Sequence, residues 1–456
     1  MNEKRYLRWY NKVGYGSGDV AGNVVYAFLS SFVMIYLTDT IGLNSGIVGT
    51  LMMFSKIFDG VTDVFFGALI DRTHTKMGKA RPWMLWPYFG CAAMIAAIFA
   101  IPEKLGDAAQ YAWFFIAYTA LNAIFYTANN IAYSALTALI TKNSSERVQM
   151  GSIRFMFAFG TSMLIQTITV DAVEMLGGGA QGWRMIAIIY AVIGLIVNTL
   201  SVFSVKELPD ESGMSDTSEI GEKTGEKYRL GEAVKLLAAN KYYIIICCIY
   251  ILSQIFTATT NMGIYFTKYV LGDASLLGAF SMAINIPMIA GLLLTPHLVK
   301  RCRGMYKLNR NGYVLATIAR GGVVAAGYMQ NLPLMLFFSA LASIGMSPLQ
   351  GDLNALIASC SEYTWLTTRK RIDGTMFSCT SLGVKIGGGI GTALAGWLLA
   401  ASGFVNGSPI QPDSSIRMLY FMYLWIPMII NLIITVLLSK LKVEQANEKL
   451  ISQKKA

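Results

Sequence analysis

Charged side chains make up only 14% of the 456 residues, and only two residues are histidine. With 54% hydrophobic residues, such a chain has too little polar surface to cover a stack of soluble domains, and it is far too apolar to be disordered. His74 lies in a loop and His297 near a helix end, so no histidine metal cluster exists on which a membrane-embedded metalloenzyme could rest. Cysteine is scarce too. Cys91, Cys247, Cys248, Cys302, Cys360 and Cys379 fall in helices or cytoplasmic loops on the topology below, and no disulfide is expected. The opening residues, MNEKRYLRWYNK, run into an apolar helix without a small-residue cleavage site, so no removable signal peptide is expected.

What the chain has is long apolar runs. Twelve are readable, near residues 14–40, 46–71, 83–102, 109–140, 148–176, 183–205, 242–270, 275–299, 311–330, 333–359, 373–403 and 416–439. Most approach or exceed the roughly 20 residues needed to cross a bilayer core. The fold class is therefore an all-α, multi-pass membrane protein. A β-barrel would show segments of roughly ten alternating residues, and the 43 glycines and 23 phenylalanines suit closely packed membrane helices better.

The formal charge of +11 raises the question of nucleic acid, but the basic residues are sorted by loop. Lys104, Arg184, Lys268 and Arg417 lie on one side of the spans and Lys56, Arg154, Arg320 and Lys385 inside helices, while the rest crowd the other side. The positive-inside rule then places both termini in the cytoplasm of a cell-membrane or inner-membrane protein and accounts for the charge without nucleic acid.

The one long polar stretch, KELPDESGMSDTSEIGEKTGEKYRLGEAVK, divides the apolar segments six and six. This predicts an N-terminal bundle over 1–205, a cytoplasmic linker over 206–241, a C-terminal bundle over 242–440 and a cytoplasmic tail over 441–456, the layout of the major facilitator architecture. The halves echo each other in charge: GALIDRTHTKMGKARPW follows the second helix and HLVKRCRGMYKLNRNGY the eighth. In VKIGGGIGTALAGW the glycines follow no strand, so they predict close helix packing and not a phosphate cradle.

An ionisable side chain in the bilayer core costs about 2.5–3.5 kcal/mol on insertion scales, so each one calls for a role. Asp59 and Asp63 are four apart and share a helix face. Two carboxylates there suit a small hard cation or a shared proton, or they pair with a buried base such as Lys56, Arg154 or Lys385. Asp19 on the first helix is either a binding carboxylate or a helix cap, Arg154 on the fifth either a ligand or a charge partner, and Lys385 on the eleventh lies too deep to snorkel easily. Tyr126, Thr127, Asn129 and Asn130 add polar groups on the fourth helix, where binding helices together is the plainer role. Charges spread over four helices are most simply explained by one polar cavity for a solute and a cation.

At these residues the sequence resembles the glycoside-pentoside-hexuronide:cation symporters. The match runs in order through GYGSGDVAGNVVYAFLSSFVMIYLTDTIGL, FDGVTDVFFGALIDRTHTKMGKARPW and SEYTWLTTRKRIDGTMFSCTSLGVK, and GALIDR also fits the loop signature of the wider superfamily. The resemblance implies a cation-coupled sugar or glycoside carrier, driven by Na⁺, Li⁺ or H⁺, needing no other cofactor and working as a monomer in the bilayer. It assigns the cation to Asp59, Asp63 and Thr127, the sugar to Asp19, Tyr26, Tyr126, Asn130, Arg154 and Ser381, and the link between the two sites to Lys385. Asn130 stands where the family's melibiose permease has a carboxylate and Ser134 where it has a tryptophan, so galactosides are not singled out; Tyr363, Thr364 and Trp365 replace a common Y-G-E after the tenth helix, so the family's gating contacts of that loop are not carried over. A lipid or other amphipathic cargo on the same fold is the alternative.

Overall fold

The protein is described from a computed structural model covering residues 5–102, 104–141, 143–208, 236–302, 304–368 and 373–455. Among the described residues twelve long helical segments follow one another, α1 Trp9–Thr40, α2 Ser45–Asp71, α3 Arg81–Ile98, α4 from Asp107–Thr119 through Thr127–Leu139, α5 Ser144–Met175, α6 Gly179–Ser204, α7 Lys241–Tyr269, α8 Leu276–Cys302, α9 Met305–Tyr328, α10 Leu332–Thr368, α11 Asp373–Ala401 and α12 from Asp413–Tyr420 through Ile426–Lys440. No strand occurs among the described residues; a single antiparallel bridge joins Thr75 and Gly78. Among the described residues, eight helices pass a test of length and hydropathy for crossing a membrane. α2 is not one of them, because Lys56, Asp59 and Asp63 interrupt its apolar run. The expected tenth helix is longer than its apolar stretch, running on to Thr368 through polar residues, and the expected tail carries a further helix, α13 Val443–Lys455. Most of the expected linker lies outside the described residues.

Polar side chains end the helices where their amides would go unpaired. Asn44 accepts from the amides of Gly46 and Ile47 at the start of α2, and Asn143 accepts from the Glu146 amide at the start of α5. Carboxylates do the same at the corresponding place in each half. Glu207, just after α6, accepts from the amides of Lys79, Ala80 and Arg81 at 2.7–2.9 Å, and Glu444, just after α12, accepts from those of Met305 and Tyr306 at 3.2 and 2.8 Å. Gly78 (φ +115°) and Gly304 (φ +133°) bend the chain beside them in a backbone region that L side chains rarely enter. The charge echo of the two loops is thus a repeated device: an anion held on a positive helix end.

Glu146 ties down the N-terminal segment. It accepts from the Leu7 and Tyr6 amides at 3.2 and 3.3 Å and from the Thr141 hydroxyl at 2.7 Å, with the Lys12 ammonium at 3.4 Å. Burial pushes its carboxyl up, but the Thr141 hydroxyl, the two amides and Lys12 together hold it below the usual carboxylate range.

The chain divides into two compact units. One comprises Met1–Pro209, Ala258–Ser281 and Gly389–Met422, and the other Asp210–Thr257, Met282–Gly388 and Tyr423–Ala456. Two segments from the second half of the sequence therefore group with the first half, and contacts within that unit say why. The Lys268 ammonium lies 2.5 Å from Asp39 at the end of α1. The second half of α11 packs directly on α2, where a Cβ at Gly49 would come within 3.2 Å of the Gly396 Cα.

The glycine run of α11 thus serves packing. A Cβ at Gly396 would meet the carbonyl oxygen of Ser45 at 2.5 Å, one at Gly389 the carbonyl of Met53 at 3.3 Å, and one at Gly387 the Ile251 Cα at 3.1 Å. Because a backbone carbonyl cannot rotate away, Gly396→Val is expected to destabilise the protein by about 1–3 kcal/mol. Gly160→Ala, at a helical site with open space around it, should be neutral or stabilising. Thermal unfolding in detergent checks both, and equal melting temperatures for Gly396→Val and wild type would contradict the packing role.

Candidate functional site

Three glycines open the first helix in GYGSGD, and each admits a different neighbour. A Cβ at Gly14 would fall 2.5 Å from Ser204 of α6, at Gly16 2.5 Å from Ile153 of α5, and at Gly18 2.8 Å from the Tyr133 ring of α4. The start of α1 is thereby drawn against α4, α5 and α6. That close approach places Asp19 beside Arg154.

Arg154 Nε donates to Asp19 Oδ2 at 2.6 Å, and the two side chains are 22% and 17% exposed, partly desolvated and still reachable. Tyr133 and Tyr15 frame the pair. The guanidinium carbon lies 4.0 Å from the centroid of the Tyr133 ring, a cation–π contact, and the Tyr133 hydroxyl reaches the same Asp19 Oδ2 at 3.0 Å. Tyr15 donates to the Tyr133 carbonyl at 2.7 Å, while the Tyr15 carbonyl lies 2.9 Å from the Tyr133 hydroxyl, so the tyrosines brace each other across α1 and α4. Every contact on the carboxylate falls on Oδ2; among the described residues nothing donates to Oδ1. Asp19 is thus held by one oxygen with the other open as an acceptor. It is not the helix cap that its position also allowed, and Arg154 belongs to it and not to the Asp59–Asp63 pair.

Sequence reasoning missed Tyr133 and Tyr15. Their signal, two aromatic residues with hydroxyls next to small residues, is too common in membrane helices to stand out before the fold brings them together.

Along α1, Asp19, Gly22 and Tyr26 recur at helical spacing, and the Tyr126 hydroxyl of α4 lies 3.8 Å from where a Gly22 Cβ would stand. On α4, Tyr126, Asn130 and Ser134 follow one another a turn apart. Asn130 and Ser134 are exposed, Tyr126 is half-buried and Tyr26 is 49% exposed. Asn129 parts company with Asn130: it is buried, and its amide donates to the Met84 carbonyl and to Asn198 Oδ1. Asn129 joins helices, whereas Asn130 faces open space.

Two of the expected cation residues, Asp59 and Thr127, meet between α2 and α4. Thr127 follows directly on a π-helical turn, Ala120–Tyr126, and its buried hydroxyl is in hydrogen-bond contact with Asp59 Oδ1. Such turns inside α-helices often mark functional sites, because the extra residue shifts the side chains after it onto a new face. Asp63 is half-buried one turn along α2. Lys56 Nζ lies 3.4 Å from Thr392 Oγ1 of α11. Ser381 and Lys385 belong to the other compact unit; Ser381 is exposed and Lys385 half-buried, a turn apart on α11.

Residues 14–445 match the profile of a family described as MFS/sugar transport protein. The chain is 27% identical to the isoprimeverose transporter of Lactiplantibacillus pentosus over 93% of its own length and 87% of that protein's. It is 25% identical to the glucuronide carrier protein homolog of Escherichia coli (strain K12), covering 91% of this chain and 88% of that one. Its fold superposes on the crystal structure of a D-xylose-proton symporter with a TM-score of 0.64 at 15% identity, covering 94% and 97% of the two chains.

The geometry makes Asp19 and Arg154 energetically coupled. Arg154→Ala strands a half-buried carboxylate and Asp19→Ala a half-buried guanidinium, so the double variant should be less destabilised than the two single losses summed, by about 0.5–3 kcal/mol. Thermal or denaturant unfolding of the four proteins in one detergent measures this. Strict additivity would mean that the pair does not interact.

Proposed function

The chain belongs to the MFS/sugar transport protein family, and from that premise we propose that it is a secondary transporter carrying a sugar or glycoside across the membrane together with a cation, by alternating access. The observation that carries the reading is Asp19, anchored through one oxygen by Arg154 and Tyr133 with the other oxygen open. A fixed carboxylate with a free lone-pair face accepts from sugar hydroxyls in charge-assisted hydrogen bonds, and a guanidinium beside it supplies donors. Tyr26 and Tyr126 offer ring faces for the apolar side of a pyranose. Ser134, exposed and much smaller than the tryptophan of melibiose permease at that place, leaves room for a second sugar unit or an aglycone, while Asn130 replaces a carboxylate by a neutral amide.

Asp59, Asp63 and Thr127 form the cation site: two carboxylates and a hydroxyl are hard oxygen donors suited to Na⁺ or Li⁺, and the same carboxylates could share a proton. Binding removes the repulsion between the two aspartates. A loaded, neutralised centre reorients through the membrane more readily than a half-loaded, charged one, which is the coupling. Lys385, carried over from the family resemblance, is assigned to link cation and sugar. An acyl-chain cargo fits this site worse, since its lining is carboxylate, guanidinium, amide and hydroxyl, and the relatives above are named for sugars. The family is one of transporters, and we assign the chain no catalytic reaction.

The deciding experiment is uptake into proteoliposomes of glucosides, galactosides, xylosides and glucuronides under Na⁺, Li⁺ and pH gradients. Accumulation of none of them under any gradient would sink the reading. Asp59→Asn and Asp63→Asn are each expected to lose accumulation against a gradient while keeping sugar binding, and normal accumulation by either variant would remove it from the cation site. Asp19→Ala should abolish sugar binding with cation binding retained. Tyr133→Phe keeps the ring under Arg154 but drops the hydroxyl on Asp19, and should weaken sugar binding about 10- to 100-fold, the worth of one hydrogen bond to a charged group. An unchanged sugar affinity in Tyr133→Phe, by calorimetry, would reduce that residue to packing.

A further inference from the structure

Away from the polar site, α2, α3 and α4 enclose a groove of about 480 Å³ lined by Phe66, Pro82, Trp83, Trp86, Ile124 and Phe125 among others, with Thr73 and Thr75 at its rim. Its walls are almost wholly apolar, so it suits neither sugar nor nucleotide. Phe66 and Trp83 pack edge to face with ring centroids 5.9 Å apart, and Trp83 Nε1 donates to Thr73 Oγ1 at 2.7 Å, which pins the rim to α3. Gly90 lets the Phe125 ring tuck against α3, where a Cβ would come within 2.2 Å of it. Trp86 is 65% exposed and Ile124 46%. In a chain that spans a membrane, such a face meets lipid chains, and tryptophan is typical of the depth at which chains give way to headgroups.

The rim belongs to the loop that follows α2. From Asp71 to Arg81 it carries Arg72, Lys76, Lys79 and Arg81 against the single acid Asp71. Arg72, His74 and Lys76 are exposed and form no ion pair among the described residues. The loop is held in place, since Gly78 N donates to the Thr75 carbonyl at 3.0 Å, Thr75 Oγ1 donates to the Gly78 carbonyl at 2.8 Å, and Glu207 takes the three amides that follow. A rigid basic rim above an apolar groove loses little freedom on binding. The loop lies on the side to which the positive-inside bias assigns the cytoplasm, where the leaflet carries anionic lipid.

We propose that this groove holds an acyl chain of an anionic phospholipid whose phosphate sits on the Arg72–Lys76 rim. The commitment to an anionic headgroup comes from charge complementarity, and the commitment to a lipid from apolar walls on a bilayer-facing surface. The site is separate from Asp19 and Asp59 in its residues and does not depend on the transport reading.

The test uses the full chain in phosphatidylcholine nanodiscs with increasing fractions of lipid brominated on its acyl chains, read by tryptophan fluorescence. Brominated phosphatidylglycerol should quench at a lower mole fraction than brominated phosphatidylcholine. The Arg72→Gln, Lys76→Gln double variant should lose most of that preference, about five-fold for each base removed, while quenching by brominated phosphatidylcholine stays as in wild type. Trp86→Phe should diminish the phosphatidylglycerol-selective part, since that indole lies in the groove. Equal quenching by the two lipids in wild type would overturn the proposal. So would a preference that survives the double charge variant, or a selective part untouched by Trp86→Phe, which would place the lipid elsewhere.

Discussion

The structure is governed by the cost of charge in a medium that cannot solvate it. An arginine cannot shed its proton, so Arg154 in a membrane helix needs a partner, and the partner needs holding. The answer here is a closed set. Arg154 lies on the face of Tyr133 and donates to Asp19 Oδ2, Tyr133 reaches the same oxygen, and Tyr15 braces Tyr133 by exchanging hydroxyl–carbonyl contacts between α1 and α4. The glycines at 16 and 18 are the steric condition for this, because a Cβ on either would push away α5 or α4, the helices that complete the set.

The same economy appears where the chain leaves the membrane. Helix starts carry unpaired amides and a positive dipole end, and the molecule meets both with carboxylates from distant parts of the sequence. Glu207 on the start of α3 and Glu444 on the start of α9 are used alike, the first just after the sixth helix and the second just after the twelfth. Glu146 applies the device to the N-terminal segment.

The polar site and the apolar groove show how one bundle separates two solvents. α4 contributes to both: Tyr126, Asn130 and Ser134 stand on the polar side, and Ile124 and Phe125 line the groove. The π-helical turn Ala120–Tyr126 lies at the crossover. By adding a residue to the turn it changes which side chains after it face the polar region, which lets Thr127 meet Asp59 while its neighbours pack on α3.

Length and hydropathy by themselves determined the all-helical, multi-pass class, because only an unbroken helix satisfies its backbone in lipid and twelve apolar runs leave no other economical arrangement. The in-membrane carboxylates and bases were equally legible, since their cost marks them out wherever they occur. Which acid goes with which base was not. Asp19 with Arg154 is a pairing across 135 residues, and helical periodicity says which face a residue shares but not which helix will lie opposite. The difference between Asn129, spent on Met84 and Asn198, and Asn130, left open, was invisible for the same reason: adjacent residues of one type diverge only when one side of the helix is covered. The roles of Tyr133 and Tyr15 likewise come from tertiary structure alone, because a tyrosine becomes a positioning group only when a charge is brought onto its ring and a carboxylate within reach of its hydroxyl.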